Sequence, residues 1–402
     1  MIPNFVRKKF AGVQQPLGRW ILRHICEFIV LSPAILVTWI WLKVRRKEIL
    51  IVGRSSSSIT AFLMPLDPEL RRRSKTLGEL EKLIVLNLSP DANSQIRIMY
   101  DRVVRIIGAE KPALRRVFWW CSFATPGVDE RDILECQNDP HWHHSDPVVA
   151  LTSEEISRGE ILLREAGFDL NQEFVCYATR TDSYYQKLRD RGVNVKSRSV
   201  RNPNESIYLN VSKSLNTDGL KIVRMGKDLD SNIDSSEHPW VFDYASTCRS
   251  DFIDVVLFSR CKFLISGATG SVLLRAIFNL PTVNSDTYRN LKNWFSGDVA
   301  TFQKVRFVSD GRLATVSEMV KIGDAFSDER HQEKLGVELV KNTAEEILAA
   351  CEEMIARLNG TWEATEEDEI LQTRYWDLIC KSGHNGGRIG AKFLRDNQDL
   401  LR

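Results

Sequence analysis

Apolar residues fall along this chain in two patterns. The first is one long run at residues 25–42, "ICEFIVLSPAILVTWIWL", broken by Glu27, Ser32, Pro33 and Thr38. A bilayer span needs about 20 mostly apolar residues, so this run is close to sufficient. Trp20, Trp39 and Trp41 stand near its ends, as interfacial anchors do. Basic residues flank both sides, which leaves the orientation open, and no small-residue cleavage site follows. We read 25–42 as a membrane-embedded segment, spanning or interfacial; a buried amphipathic helix is the plainer alternative.

From residue 48 the pattern changes to short apolar runs alternating with helical spacing. Strands are expected at 49–52, 83–88 ("LIVLNL"), 117–123 ("VFWWCSF"), 174–177, 221–225 and 261–265. Helices are expected at 96–107, from the capping box Thr152–Glu155 to Gly167, and at 252–258, 272–278, 344–358 and 391–401. Strands alternating with helices predict α/β architecture with parallel sheets covered on both faces. We divide the chain into a basic N-terminus with its apolar segment (1–47), an N-terminal Rossmann-like domain (48–150), a C-terminal Rossmann-like domain (151–343) and a helical tail (344–402). Two such domains facing each other place strand ends, and any ligand, between them.

Composition narrows the class. The chain has 402 residues, 43% apolar and 27% charged, with net charge +2. That balance argues against a nucleic-acid partner; the basic clusters at 7–9, 43–47 and 71–75 are local. Eight cysteines without a C-x-x-C pair describe a reduced protein. His141, His143 and His144 lack a supporting paired ligand, so no metal site is assigned.

The candidate chemistry gathers at strand ends. "FLISGATGS" reads as strand, small-residue turn and buried helix. Ser266, Gly267, Thr269, Gly270 and Ser271 form either a phosphate cradle at a helix N-terminus or a tight βα bend. Arg180 follows "EFVCYAT" and Arg224 follows "LKIV", both at expected C-terminal strand edges. Guanidinium groups there suit phosphate oxygens, and the pair favours the cradle. Gly226 follows Arg224. Asp243 and Tyr244 fall in a loop, and Asp251 opens a helix, where an acid also complements the dipole.

The run from Leu151 to Asp286 resembles a family of uncharacterised bacterial glycosyltransferase-like proteins of GT-B-like, two-Rossmann architecture. The resemblance is carried by "LTSEEISRGEILLREAGF", "FVCYATRTDSYY", "RNPNESIYLNVSKSL", "GLKIVRMG", "FDYASTCRSDFIDVVL" and "CKFLISGATGS…NLPTVNSD". "RIGAKFLRDNQDLL" near the C-terminus resembles the family's tail, and the first 150 residues are more distant. That family is similar to O-fucosyltransferase-like enzymes, in which a strand-end His-x-Arg contacts the donor diphosphate. Arg180 matches the arginine; Ala178 stands at the histidine's position. The 53–56 segment, Gly-Arg-Ser-Ser, stands where a Gly-His pair is expected.

The resemblance implies a glycosyltransferase, associated with the cytoplasmic side of the inner membrane. It would move a sugar from a nucleotide-diphosphate donor to a surface glycan or lipid-linked acceptor. Arg180, Arg224 and the 267–271 turn would hold the diphosphate without an obligatory metal or other cofactor. Asp182, with Asp243 in reserve, would take the acceptor's proton. The two missing histidines favour a rival, a non-catalytic nucleotide-sugar-binding or assembly protein of a glycan pathway. A doubly wound oxidoreductase lacks its dinucleotide fingerprint here.

Overall fold

The computed structural model describes residues 17–53, 58–125, 144–178, 181, 183–190, 202, 204–217, 219–227, 229–267, 271–287, 295–323, 329–379 and 386–402. The chain forms two compact units, Met1–Cys136 and Gln137–Arg402. The boundary falls earlier than residue 150. Ser145 already belongs to the second unit, where its carbonyl accepts a hydrogen bond from Asn279 Nδ2 at 3.0 Å.

The first unit begins with α1 (Leu17–Val44), the one described helix long and apolar enough to cross a membrane. It continues through β1 (Glu48–Val52), α2 (Ile59–Ser74), α3 (Glu79–Lys82), β2 (Leu83–Asn87), α4 (Ser94–Asp101), β3 (Arg105–Ile107) and α5 (Pro112–Cys121). The three strands pair in parallel in the order β1-β2-β3, half of a doubly wound sheet.

Two expectations are corrected. The third strand is 105–107, inside the run expected to be helical, and "VFWWCSF" lies mostly in α5. Pro112 at the first helical turn starts α5, and Val117, Phe118 and Cys121 bury one helical face. Aromatic and β-branched propensity yields here to packing.

The basic cluster at 71–75 is largely consumed inside the unit. Arg71 Nε meets Asp67 at 2.7 Å with both side chains buried, and Arg73 pairs with Glu69 at 2.5 Å and with Glu48.

The second unit contains α6 (Ser153–Glu165), β4 (Phe174–Ala178), α7 (Ser183–Asp190), α8 (Glu205–Thr217), β5 (Lys221–Met225), β6 (Val241–Phe242), α9 (Tyr244–Thr247) and α10 (Asp251–Arg260). It runs on through β7 (Leu264–Ser266), α11 (Ser271–Leu274), a 3-10 turn (Arg275–Phe278), β8 (Thr282–Thr287), β9 (Val299–Phe302), β10 (Lys304–Phe307), α12 (Val316–Ile322), α13 (Glu329–Leu335) and β11 (Val337–Val340). α14 (Ala344–Leu358), α15 (Glu366–Ile379), β12 (Arg388–Ile389) and α16 (Ala391–Asp396) close it.

The predicted capping box is present on α6. Thr152 Oγ1 accepts the Glu155 N–H at 3.2 Å, and Glu155 Oε2 accepts the Thr152 N–H at 2.8 Å. Gly167 follows with φ +87°, the left-handed conformation that ends a helix.

Seven parallel strands form the sheet, ordered β12-β9-β8-β7-β4-β5-β6. The 344–402 segment is part of this body rather than an appended tail. β12 hydrogen-bonds beside β9, and Ile347, Ala350, Cys351 and Met354 of α14 pack into the core with Val283 and Val299. β10 and β11 form a separate antiparallel pair.

A buried ion pair ties β8 to the segment before β9. Arg275 reaches Asp298 through Nη1 at 2.6 Å and Nη2 at 2.5 Å, with both side chains buried. The Asp298 carboxylate also accepts the Thr282 N–H (3.1 Å), the Phe295 N–H (2.9 Å) and Asn284 Nδ2 (3.1 Å). Breaking one side of such a pair leaves an uncompensated buried charge. Asp298→Ala is therefore expected to lower stability by about 3–5 kcal/mol in a urea melt. A loss under about 1 kcal/mol would show that the carboxylate does not anchor these strands.

Candidate functional site

The sheet order defines one place where the winding reverses. From β4 the chain moves outward to β5 and β6. It then returns to lay β7 against the opposite side of β4 and continues through β8 and β9. In open parallel sheets ligands bind outside the carboxyl ends of strands at this switch point.

The register aligns the exits. Met225, Ala178, Ser266 and Asn284 are successive cross-strand partners on β5, β4, β7 and β8. The segments after Ala178 and after Ser266 therefore leave neighbouring strands at one level. Their central strands are apolar because they are buried on both faces, so polar function is confined to the exits.

Several expected residues come together here. Ser266 is buried, and its hydroxyl lies 3.1 Å from the Gly267 carbonyl. A β-carbon at Gly267 would stand 3.5 Å from the Ser285 carbonyl and 3.8 Å from the Tyr208 hydroxyl, ordinary contact distances. Gly226 leaves β5 packed closely against Leu229. Ser271 opens α11. Arg180, Asp182, Thr269 and Gly270 lie outside the described residues.

The expected helix at 272–278 is shorter than its apolar pattern implied. One α turn, 271–274, tightens into a 3-10 turn. So short an element has little macrodipole to offer a charged group.

Four expected residues do other work. Arg224 is fully buried and points its guanidinium into carboxylates. Nε and Nη2 meet the two Glu205 oxygens at 2.6 and 2.8 Å, and Nη1 meets both Asp243 oxygens at 3.2 Å and the Ser231 carbonyl at 2.8 Å. Burial alone would depress the Arg224 pKa; Glu205 and then Asp243 outweigh it and hold the group above its ordinary value. The guanidinium expected to meet a diphosphate is thus engaged by two carboxylates of the protein itself.

Asp243 is correspondingly engaged, since it also accepts the Ile233 N–H at 2.9 Å. Both of its oxygens are already taken by a guanidinium and a backbone amide, so neither is left open for an acceptor hydroxyl. Tyr244 is buried, with its hydroxyl 2.8 Å from the Ser250 carbonyl and 2.9 Å from Asp254 Oδ1. It fixes the start of α10 rather than facing a substrate. Asp251 pairs with Arg249 at 2.8 Å in the first turn of α10.

Other residues enter the site that the sequence reading did not single out. Tyr208 on α8 bonds Ser285 at 2.6 Å beneath Gly267 and stacks on Tyr177 at 5.8 Å. Asp286, at the end of β8, holds φ +51°, a strained conformation for a non-glycine residue. Asn342 clamps it reciprocally: the Asn342 N–H donates to Asp286 Oδ1 at 2.8 Å, and the Asp286 N–H donates to Asn342 Oδ1 at 2.7 Å. Burial pushes the Asp286 carboxyl above its usual range, against the pull of the Asn342 N–H and Lys341. The signal for this region was the polar run "TVNSDT" in a position that should read as an apolar central strand.

No family model matches the chain, and no curated protein matches it in sequence. Solved structures do. A glycosyl transferase family 9 protein from Veillonella parvula is similar over 77% of this chain and 97% of its own, at 10% identity and TM-score 0.46. Escherichia coli ADP-heptose LPS heptosyltransferase II is similar over 59% and 84%, at 12% identity and TM-score 0.38. The dodecameric iron-containing glycosyltransferase TibC of enterotoxigenic E. coli is similar over 78% and 77%, at 14% identity and TM-score 0.36. Identities and TM-scores this low carry no weight for activity or substrate.

Arg224→Ala is expected to cost about 3–5 kcal/mol of stability by leaving Glu205 and Asp243 without their shared cation. Binding of any nucleotide by the folded fraction should be unchanged. A variant of normal stability that loses nucleotide binding would return Arg224 to the ligand site.

Proposed function

We propose that this protein is a glycosyltransferase of GT-B-like architecture that takes its sugar from a nucleotide-diphosphate donor held on the second unit. The observation that carries the reading is the register pairing of Ala178 with Ser266 at the switch point. It brings the last described residue of β4 level with the last residue of β7, and on this reading the arginine and the glycine turn that follow them in sequence share one site. A guanidinium beside a row of backbone N–H groups matches the charge that develops on a departing diphosphate.

With Arg224 committed to Glu205 and Asp243, Arg180 is the cation of this reading. Asp182 is its base for the acceptor hydroxyl, since Asp243 is held by Arg224. The acceptor is a surface glycan or a lipid-linked sugar. No divalent ion is required, so EDTA should leave transfer intact.

A second reading, a nucleotide-sugar-binding protein without turnover, draws on Ala178. This residue is fully buried in β4, and it stands where the resemblance to O-fucosyltransferase-like enzymes implies a histidine.

A thermal-shift panel of nucleotide-diphosphate sugars and NAD(P) tests both. The expected result is stabilisation by a sugar nucleotide, followed by transfer or slow hydrolysis of that donor. Stabilisation without any product supports the binding protein, and stabilisation by NAD(P) alone defeats both. Arg180→Ala should weaken donor binding by about 1.5–3 kcal/mol, the usual worth of a hydrogen bond to a charged group, with the melting temperature of the free protein unchanged. Gly267→Ala, which the backbone around it accommodates, should fold normally and weaken the donor in the same assay.

A further inference from the structure

We propose that α1 lies flat in the surface of an anionic lipid bilayer as a monotopic anchor, together with the aromatic edge of α5, and does not cross the membrane. The inference stands apart from sugar transfer and rests on which side of α1 is apolar.

One side of α1 is docked on the first unit. Glu27 pairs with Arg116 at 3.3 Å, Cys121 Sγ lies 3.5 Å from the Ile35 carbonyl, and Trp39 Nε1 donates to the Ala124 carbonyl at 3.3 Å. Leu42 is fully buried in the core with Ile49 and Ile84. The docked stretch from Glu27 to Leu42 is about 22 Å long at 1.5 Å per residue. That is most of the hydrocarbon thickness of a bilayer.

A crossing helix would carry this docked surface into lipid with it. Arg116 would enter, as would Arg115, whose Nη1 donates to the Leu88 carbonyl at 3.1 Å beside the end of β2. Charged side chains and sheet-edge loops are not tolerated against hydrocarbon. Lying in the interface, the same helix keeps the unit in water.

The opposite side supplies the positive argument. Its polarity is the inverse of a soluble protein's surface helix. Glu27 and Thr38, three helical turns apart, share the half-buried side, and the Ser32 hydroxyl folds back on the Ile29 carbonyl at 2.8 Å. Every exposed residue from Phe28 to Trp41 is apolar. Ile29, Val30, Leu36, Val37, Ile40 and Val44 are between 47% and 76% exposed.

The surface extends onto α5. Phe28 meets Trp120 edge-on at 5.1 Å, and Trp120 adjoins Trp119 at 4.9 Å. An apolar groove of about 830 Å³ runs between the two helices. Aromatic rings collect where membranes meet water.

Charge identifies lipid as the occupant. Lys43, Arg45 and Arg46 are exposed directly after the apolar side ends, and Arg19 and Arg23 precede it in sequence. A flat helix sets both cationic ends at one headgroup layer, where each interacts with anionic lipid. A crossing helix would place one of them on the far side.

The test uses the full chain with different epitope tags at its two ends. Membranes from expressing bacteria are prepared as sealed inverted vesicles and treated with external protease. A flat helix exposes both tags; protection of the N-terminal tag alone means crossing and overturns the proposal. Purified protein is also sedimented with vesicles of phosphatidylethanolamine and phosphatidylglycerol in equal parts. Val30→Glu with Val37→Glu, both on the exposed side, should reduce vesicle binding roughly tenfold or more with an unchanged melt. Wild-type protein that ignores these vesicles, or that buries the same face by forming dimers, overturns it as well.

Discussion

The pairing of β4 with β7 is the constraint on which the second unit depends. β6 ends the sheet on one side, so the chain must travel back past β5 and β4 before it can add another parallel strand. Crossovers in parallel sheets are right-handed, so connections that extend the sheet in opposite directions lie on opposite faces. The exits of β4 and β7 therefore diverge from adjacent positions, and the sheet opens there without any strand being broken. Gly267 and the buried Ser266 stand at that opening because the backbone must turn away from β7 above the Ser285 carbonyl and the Tyr208 hydroxyl.

The unit uses buried polar groups where apolar packing would be more stable. Arg224 with Glu205 and Asp243, and Asp286 with Asn342, lie toward the carboxyl ends of their strands, while Arg275 with Asp298 holds the amino ends of β8 and β9. Buried ion pairs add little net stability against hydrophobic replacements, but each penalises any register that separates its members. A shift of β8 by one residue would break the Asn284 bond to Asp298 and turn the polar side chains to the other face. The strained backbone at Asp286 persists for the same reason: two hydrogen bonds to one asparagine outweigh the preference for negative φ. The strand ends are thus fixed by the protein's own hydrogen bonds.

What could be read from the sequence follows from the range of each interaction. β5 and α14 appear with the expected bounds, and α6 begins at its capping box, because turn chemistry and hydrophobic period are local. "VFWWCSF" failed because a five-residue apolar run fits a strand or a buried helical face equally well, and Pro112, five residues upstream, decided it. Arg224 was placed correctly at a strand end and given the wrong partner. Glu205 lies on another element, nineteen positions away, and nothing local in either stretch announces the pair. Asp286 and Asn342 are 56 positions apart and were invisible for the same reason.

The apolar N-terminal run shows this limit from the other direction. Its length and hydropathy were plain from the sequence, but they describe a cylinder without naming a side. Only when Leu42 enters the core of the first unit and Glu27 turns to Arg116 does the helix acquire an inner and an outer face. The inner face then holds the ionised side chain and the outer face holds none between Phe28 and Trp41. In water that arrangement exposes apolar area that folding could have hidden by rotating the helix about its axis. The packing of Ile35, Trp39 and Leu42 forbids that rotation, and the exposed apolar face it leaves is the one for which we propose a lipid surface lying parallel to the helix.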